Sequence, residues 1–318
     1  MSEKDQAGQT NETAADGVPP VPATLEKWRS EGQTVDLLGT KIWYHDQGPK
    51  TDDAVFIVHG YPGSSWDFQG VVERIGPNTR TVVMDQRGFG LSEKPMDGDY
   101  HSNFTLMRQA DLYDALADHL GLKSILLVAH DMGQTVGLEM MARFEEGRTP
   151  FRIRHAILLD GSTLVDMCQP TPFQQQALAS PSTALPEEMA WQDIYDIFPD
   201  SYSTESRARD DFDVLVTCQA HQIYYNQGSR IIGGIVHYLK EREEEFKRWS
   251  RTFFEFKKAP MTVIWGEQDP IAVIAMADRV KKNRPFTDLY KYPDSGHWPS
   301  IEFPDRIGDA VIARLGSV

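Results

Sequence analysis

The chain of 318 residues holds only two cysteines, Cys168 and Cys218. They offer neither a metal-ligand spacing nor a disulfide framework, so a reducing, cytoplasmic setting is expected. Long apolar runs are missing too. None approaches the ~20 residues that span a bilayer, and Ile125–Ala129 reaches only the length of a buried strand. Basic charge is in deficit: 32 Lys and Arg against 47 Asp and Glu leave a net charge of -15. Such a surface neutralises no phosphate backbone and is repelled by anionic lipid, which argues against nucleic-acid and membrane partners. No glycine-rich phosphate loop occurs, because Gly88 and Gly90 lack the G-x-G-x-x-G spacing. His101, His119, His155 and His221 stand singly. No cofactor and no metal is therefore expected.

Residues 1–25 are polar and rich in Ala, Gly, Thr and Pro, without the apolar core of a signal peptide, and read as a disordered leader. Beyond them, short apolar runs alternate with amphipathic stretches. Thr34–Leu38 and Lys41–His45 form a hairpin pattern around Leu38-Gly39-Thr40. Buried strands are expected at Ala54–Val58, Thr81–Met84, Ser124–Ala129 and Ile153–Leu159. Between them lie helical patterns, one with Leu106, Ala110, Tyr113, Leu116 and Leu120 stopped by Gly121, another from about Met132 to Glu146. Strand character returns at Met261–Trp265 and Thr287–Tyr292. The pattern predicts a parallel α/β sheet domain, 26–160 and 259–318, interrupted by a helical cap over 161–258. The charge run Glu241–Glu245 within the cap reads as a solvated helix face.

Ala129-His-Asp-Met-Gly133 sits between a strand and a helix. Small residues at both ends allow a tight strand–turn–helix that presents the middle side chain above the sheet. The usual nucleophile there is serine, and here it is Asp131. A carboxylate attacks without losing a proton, displaces a leaving group at an sp³ carbon and forms an alkyl-enzyme ester. A histidine must then activate water to hydrolyse that ester. His297, in the glycine-containing loop Tyr292–Pro299 after the last expected strand, is the candidate base. Asp269, just past a strand end in Val263–Pro270, is placed to accept the Nδ1 proton of His297. Asp160, which ends the strand Ala156–Asp160, is the alternative acid. The turn His59-Gly-Tyr-Pro62 follows another strand, and the backbone N–H groups of Tyr61 and Met132 are the expected oxyanion hole.

These motifs resemble the α/β-hydrolase superfamily, in its aspartate-nucleophile branch of epoxide hydrolases and haloalkane dehalogenases, over about residues 30 to 316. His59-Gly-Tyr-Pro-Gly-Ser-Ser-Trp66 is similar to the HGxP motif of epoxide hydrolases, and Asp85-Gln-Arg-Gly-Phe-Gly-Leu-Ser92 to their D-x-R-G-[FY]-G-x-S segment. The resemblance implies an α/β-hydrolase fold, with a mostly parallel eight-stranded sheet flanked by helices, and an inserted cap. It also implies cap tyrosines that protonate the epoxide oxygen. Gly233-Gly-Ile-Val-His-Tyr-Leu239 resembles the segment bearing one of them, which maps that role onto Tyr238; Val236, His237 and Leu239 depart from the family pattern. Tyr195 is the second choice, with Tyr202 in reserve. Haloalkane dehalogenases usually carry a halide-holding tryptophan directly after the nucleophile; here that position is Met132. An overall likeness to the mesoderm-specific transcript proteins leaves the substrate open.

The leading expectation is an epoxide hydrolase that gives vicinal diols from a small apolar organic substrate. Haloalkane dehalogenation is the alternative within the same chemistry. A non-catalytic ligand-binding receptor of the same fold is the alternative from another class. The cap aromatics Phe173, Trp191, Phe198, Tyr224, Tyr225 and Trp249 read mostly as cap core, and a homo-oligomer is compatible with the sequence.

Overall fold

The computed structural model describes residues 17–184 and 186–316. Eight strands form one sheet: β1 (Gln33–Leu37), β2 (Thr40–Gln47), β3 (Asp53–Val58), β4 (Thr81–Met84), β5 (Ser124–His130), β6 (Arg152–Leu159), β7 (Met261–Gly266) and β8 (Asp288–Tyr292). Their spatial order is β1-β2-β4-β3-β5-β6-β7-β8. The β1/β2 and β2/β4 pairs are antiparallel, and every later neighbour is parallel. β3, β4 and β5 are buried almost throughout. Sheets covered on both faces require such continuous apolar runs, which is why these strands were visible as unbroken hydrophobic stretches. The β1–β2 turn places Leu38 and Gly39 at φ 51° and 72°, the two positive dihedrals that match the twist of a two-residue hairpin.

The longer helices are α1 (Ala23–Glu31), α2 (Gln69–Ile75), α3 (Leu106–His119), α4 (Met132–Glu145), α5 (Pro172–Ala179), α6 (Phe212–Tyr224), α7 (Tyr238–Glu244), α8 (Phe246–Glu255), α9 (Ile274–Asn283) and α10 (Pro304–Ile312). Between β6 and β7 the described residues contain helices and turns but no strand. None of the described helices is long and apolar enough to cross a membrane.

Two expectations need correction. The leader assigned to residues 1–25 ends too late: α1 starts at Ala23, and Leu25 is fully buried, because this short helix lays Leu25 and Trp28 onto the core. Its Trp28 Nε1 donates to Ser65 Oγ (3.2 Å), and Arg29 reaches His221 O and Gln222 Oε1 in α6. The part of that leader in residues 1–16 lies outside the described residues. Nor is Glu241–Glu245 wholly a solvated face. Glu241 accepts from the N–H groups of Leu106 and Met107, so it caps the start of α3 across the domain seam, and Arg242 is buried beside it.

A second seam joins α4 to α8. Buried Glu139 accepts from Arg143 Nε (2.9 Å), Arg248 Nε (2.6 Å) and Trp249 Nε1 (3.0 Å). Burial opposes its ionisation, but the bonds from Arg248, Trp249 and Arg143 outweigh that and hold it below the usual carboxylate range. Removing one partner of a buried ionic cluster strands the others. Glu139→Ala is therefore expected to lower unfolding free energy by about 3 kcal/mol in urea titrations. A loss under about 0.5 kcal/mol would mean that the cluster is no more than a surface pair.

Candidate active site

Asp131 follows β5 and precedes α4, at φ 51° and ψ -119°. For a non-glycine residue this conformation costs about 1–3 kcal/mol and persists only where packing forces it. The packing is visible in the glycines. A Cβ on Gly133 would lie 2.2 Å from His59 O, and one on Gly60 would lie 2.5 Å from Asp131 Cβ. The ends of β3 and β5 therefore press together with no room for side chains. The first small residue of the motif can be Ala129 because Gly137, one helical stretch later, leaves space: a Cβ there would already stand at 3.0 Å from the Ala129 methyl.

This close approach delivers the Tyr61 N–H to Asp131 Oδ1 at 2.7 Å. Among the described residues it is the only N–H found on that oxygen; Met132, the other expected donor, opens α4 with its side chain buried. Asp131 Oδ2 faces His297 Nε2 at 3.7 Å. His297 Nδ1 lies 2.8 Å from Asp269 Oδ2, and Asp269 Oδ1 accepts from the N–H groups of Ile271 and Ala272. Nδ1 thus carries the proton, and Nε2, which has no other partner among the described residues, is free to act as a base toward the carboxylate side. Burial disfavours the imidazolium, but the charge and hydrogen bond of Asp269, then the charges of Asp131 and Glu302, raise the His297 pKa above its ordinary 6.5.

Several residues that sequence reasoning had not singled out hold the histidine loop. His130 Nε2 donates to His297 O at 2.7 Å; burial and the neighbouring His297 push its pKa down to about 3, so it stays neutral. Glu302 Oε1 accepts from Gly296 N (2.9 Å) and Trp298 N (3.1 Å), and its Oε2 from Ser203 N (3.0 Å). His297 N donates to Ser201 O at 2.8 Å, so the segment around Ser201 clamps the loop. His59 accepts from Gln86 N at Nε2 (2.9 Å), which leaves its Nδ1 proton for Gly60 O. A histidine directly before Asp131 was a readable signal; a carboxylate five residues after His297 was a weaker one.

Above Asp131, Tyr238 packs its ring 5.5 Å from that of Tyr61 and is 3% exposed. Burial raises its phenol well above the ordinary value; the charge of Arg242 opposes this, and that of Asp131 adds to it by less. Arg242, missed by the sequence reading, is 1% exposed. It donates to Thr135 Oγ1 (3.1 Å), Ser162 Oγ (2.7 Å) and the Asp131 carbonyl (3.4 Å), and its guanidinium carbon stands 4.8 Å from the Tyr238 ring centre. It forms no ion pair with a carboxylate among the described residues, although burial makes an unpaired cation costly.

The structure does not bring Tyr195 to this cluster. Its hydroxyl donates to Asp213 Oδ1 at 2.7 Å in an exposed setting on the cap, where burial and that carboxylate push its pKa up to about 12. Tyr202 lies nearer, buried against Trp298, but its hydroxyl is committed to Gln219 Oε1 at 2.6 Å. Asp160 is fully buried behind Asp269 and accepts from Gly266 N at 2.8 Å; it does not contact His297. Cys168 and Cys218 are both free thiols. No cluster of metal-ligating side chains is present among the described residues.

A family model described as the alpha/beta hydrolase fold matches residues 53–304. The chain is 29% identical over 297 residues to the putative hydrolase LipZ of Mycobacterium tuberculosis, covering 92% of this chain and 98% of that protein. It is 26% identical over 314 residues to the mesoderm-specific transcript protein of Mus musculus, with 94% and 90% covered. It is 25% identical over 278 residues to a cis-3-alkyl-4-alkyloxetan-2-one decarboxylase of Shewanella oneidensis, with 85% and 83% covered. Among solved structures, a thermophilic esterase of Thermogutta terrifontis superposes with a TM-score of 0.70 at 20% identity, over 89% of this chain and 97% of that one. A haloalkane dehalogenase loop variant of Bradyrhizobium elkanii gives 0.68 at 20% identity, over 89% and 95%. At such identity the two structures speak to the fold alone.

The raised pKa of His297 has a sign that can be measured. The folded state prefers the imidazolium, so its contribution to stability is complete below the ordinary value of 6.5 and fades as pH rises through the higher folded value. Asp269→Asn removes the first charge that supports the imidazolium. Urea unfolding across neutral to mildly alkaline pH should show this fading in the wild type and should show it shifted to lower pH in Asp269→Asn. Identical pH dependence in both proteins would contradict the assignment.

Proposed function

The chain belongs to the α/β-hydrolase fold family, and from that premise we propose that it is an epoxide hydrolase working through an ester on Asp131. The observation that carries this reading is the division of labour at one carboxylate: Oδ1 sits on the Tyr61 N–H while Oδ2 faces His297 Nε2. Oδ2 attacks an epoxide carbon, the ring C–O bond breaks, and its electron pair stays on the oxygen. Tyr238 gives that oxygen its proton, and Arg242 against the Tyr238 ring steadies the negative charge that forms there. His297 Nε2 then takes a proton from water as the oxygen attacks Asp131 Cγ. The charge that develops on Oδ1 falls on the Tyr61 N–H; as the intermediate collapses, His297 returns its proton to the departing oxygen, the new carboxylic acid of Asp131 passes its proton to the Tyr238 phenolate, and the vicinal diol leaves with Asp131, His297 and Tyr238 restored. Asp269 stabilises the imidazolium in between. Asp131, His297, Tyr61 and Tyr238 are all buried, so the ester is shielded from chance hydrolysis until the base acts.

A second reading is a strained four-membered cyclic ester. It is favoured by Arg242, a buried cation without a carboxylate partner among the described residues, and by the name of the Shewanella oneidensis relative, whose oxetan-2-one substrate is such a ring. Attack of Asp131 at the sp³ ring carbon would release a carboxylate, an anion that suits a guanidinium. Haloalkanes are the third class to test, with Met132 supplying no side-chain N–H for a departing halide.

Intact-mass measurement of His297→Gln protein mixed with epoxides, oxetan-2-ones and haloalkanes distinguishes the three. Ring opening loses no atoms, so an epoxide or lactone adds its whole mass; a haloalkane adds its mass less the hydrogen halide. The expected outcome is a whole-mass epoxide adduct that maps to Asp131 and is absent from Asp131→Asn/His297→Gln. Folded protein that no member of the panel labels, or labelling that survives loss of Asp131, would contradict the ester mechanism. Arg242→Met is expected to slow ester formation by on the order of a hundredfold while sparing the fold, read as the rate of adduct growth in the His297→Gln background.

A further inference from the structure

Asp160 takes up a position that the proposed reaction does not use. It follows β6 with φ 36°, is fully buried, and points one oxygen at the Gly266 N–H (2.8 Å). Its other oxygen, Oδ2, meets no N–H or other donor among the described residues, although no water can reach it. The carboxylate of Asp269 is near enough to act on it through both charge and hydrogen bonding. Asp269 has already accepted three hydrogens, from Ile271 N, Ala272 N and His297 Nδ1. Glu302 adds a further carboxylate nearby, and His297 pairs with Asp269 rather than with Asp160. Burial and a nearby like charge both disfavour the ionised form of a second carboxylate. The hydrogen-bond partners of Asp269 are all donors, whereas Oδ2 of Asp160 has none among the described residues.

We propose that Asp160 is kept as a neutral carboxylic acid whose O–H donates to Asp269, so that it positions the Asp269–His297 pair and is not itself a substitute for Asp269. Burial first, then the charge of Asp269, favours that protonated form. The hydrogen bond does two things. It fixes the rotation of Asp269 from the side opposite His297, and it draws charge away from Asp269 so that the Nδ1 proton stays on the imidazole. Asparagine can reproduce both contacts, with its carbonyl on Gly266 N–H and its amide N–H on Asp269. Leucine reproduces neither.

The first test needs no substrate, so it stands even if the epoxide reading on which the kinetic test rests fails. Infrared difference spectra of the resting enzyme at about pH 9, alkaline enough to ionise Asp67 and Glu241, whose burial raises them to about 7, should contain a carboxylic-acid carbonyl band that Asp160→Asn removes. A spectrum without that band, or one unchanged in Asp160→Asn, overturns the proposal. The second test follows ester hydrolysis after a single turnover. Asp160→Asn should stay within about threefold of wild type with the same pH profile, whereas Asp160→Leu should be slower by on the order of a hundredfold and Asp269→Asn should stall at the ester. Should Asp160→Asn stall like Asp269→Asn, Asp160 is an ionised acid and the proposal is wrong. Should Asp160→Leu, shown to be folded by its unfolding midpoint, match wild type, the hydrogen bond positions nothing and the proposal is wrong for that reason.

Discussion

The left-handed backbone at Asp131, pressed against the turn after β3, is the constraint on which the site depends. Only glycine fits at 60 and 133, because the two chain segments approach to within contact of their carbonyl oxygens. That approach puts the Tyr61 N–H on one carboxylate oxygen and turns the other toward His297. The same turn carries the ring of Tyr61 up to Tyr238 in the cap, so the strained elbow sets the floor and one wall of the site together. Strain of this kind survives because the parallel strands on either side are buried and hydrogen-bonded along their length.

Charge is the second organising feature. The site buries Asp131, Asp269 and Asp160 with Glu302 close by, and answers them with His297 and Arg242. Such a group of charges is stable only if each is hydrogen-bonded and the total stays near balance. The proposed reaction moves negative charge from Asp131 to the oxygen that leaves the ring, and then moves positive charge onto His297 beside Asp269. The cap contributes more than a cover. Arg242 reaches the carbonyl of Asp131, Ser201 and Ser203 bind the histidine loop and Glu302, and Glu139 fastens α8 to α4.

Most of the sheet was legible because strands buried on both faces must be largely apolar, as β3, β4 and β5 are. Asp131, His297 and Asp269 were legible because the turn chemistry around them is local and their order along the chain follows the strand ends. The cap was harder. Its helices are short and its contacts span long sequence separations, so spacing alone could not say that Tyr195 bonds Asp213 while Tyr238 packs on Tyr61. Arg242 and Glu241 were hidden in a run of charges that looks solvated from composition; only packing shows that Glu241 caps α3 and that Arg242 sits on the elbow. The end of the leader was misplaced because two buried residues, Leu25 and Trp28, are too few to make a periodic pattern.

The claim that matters most is that water attacks Asp131 and not the substrate. A single turnover in ¹⁸O-labelled water, with enzyme in excess over a substrate that labels the His297→Gln protein, decides it. The first product should contain no heavy oxygen, and the peptide carrying Asp131 should gain it, because hydrolysis at Cγ leaves the solvent oxygen on the carboxylate. Heavy oxygen in the first product, with none in the Asp131 peptide, would mean that His297 drives water directly onto the substrate and that no ester forms.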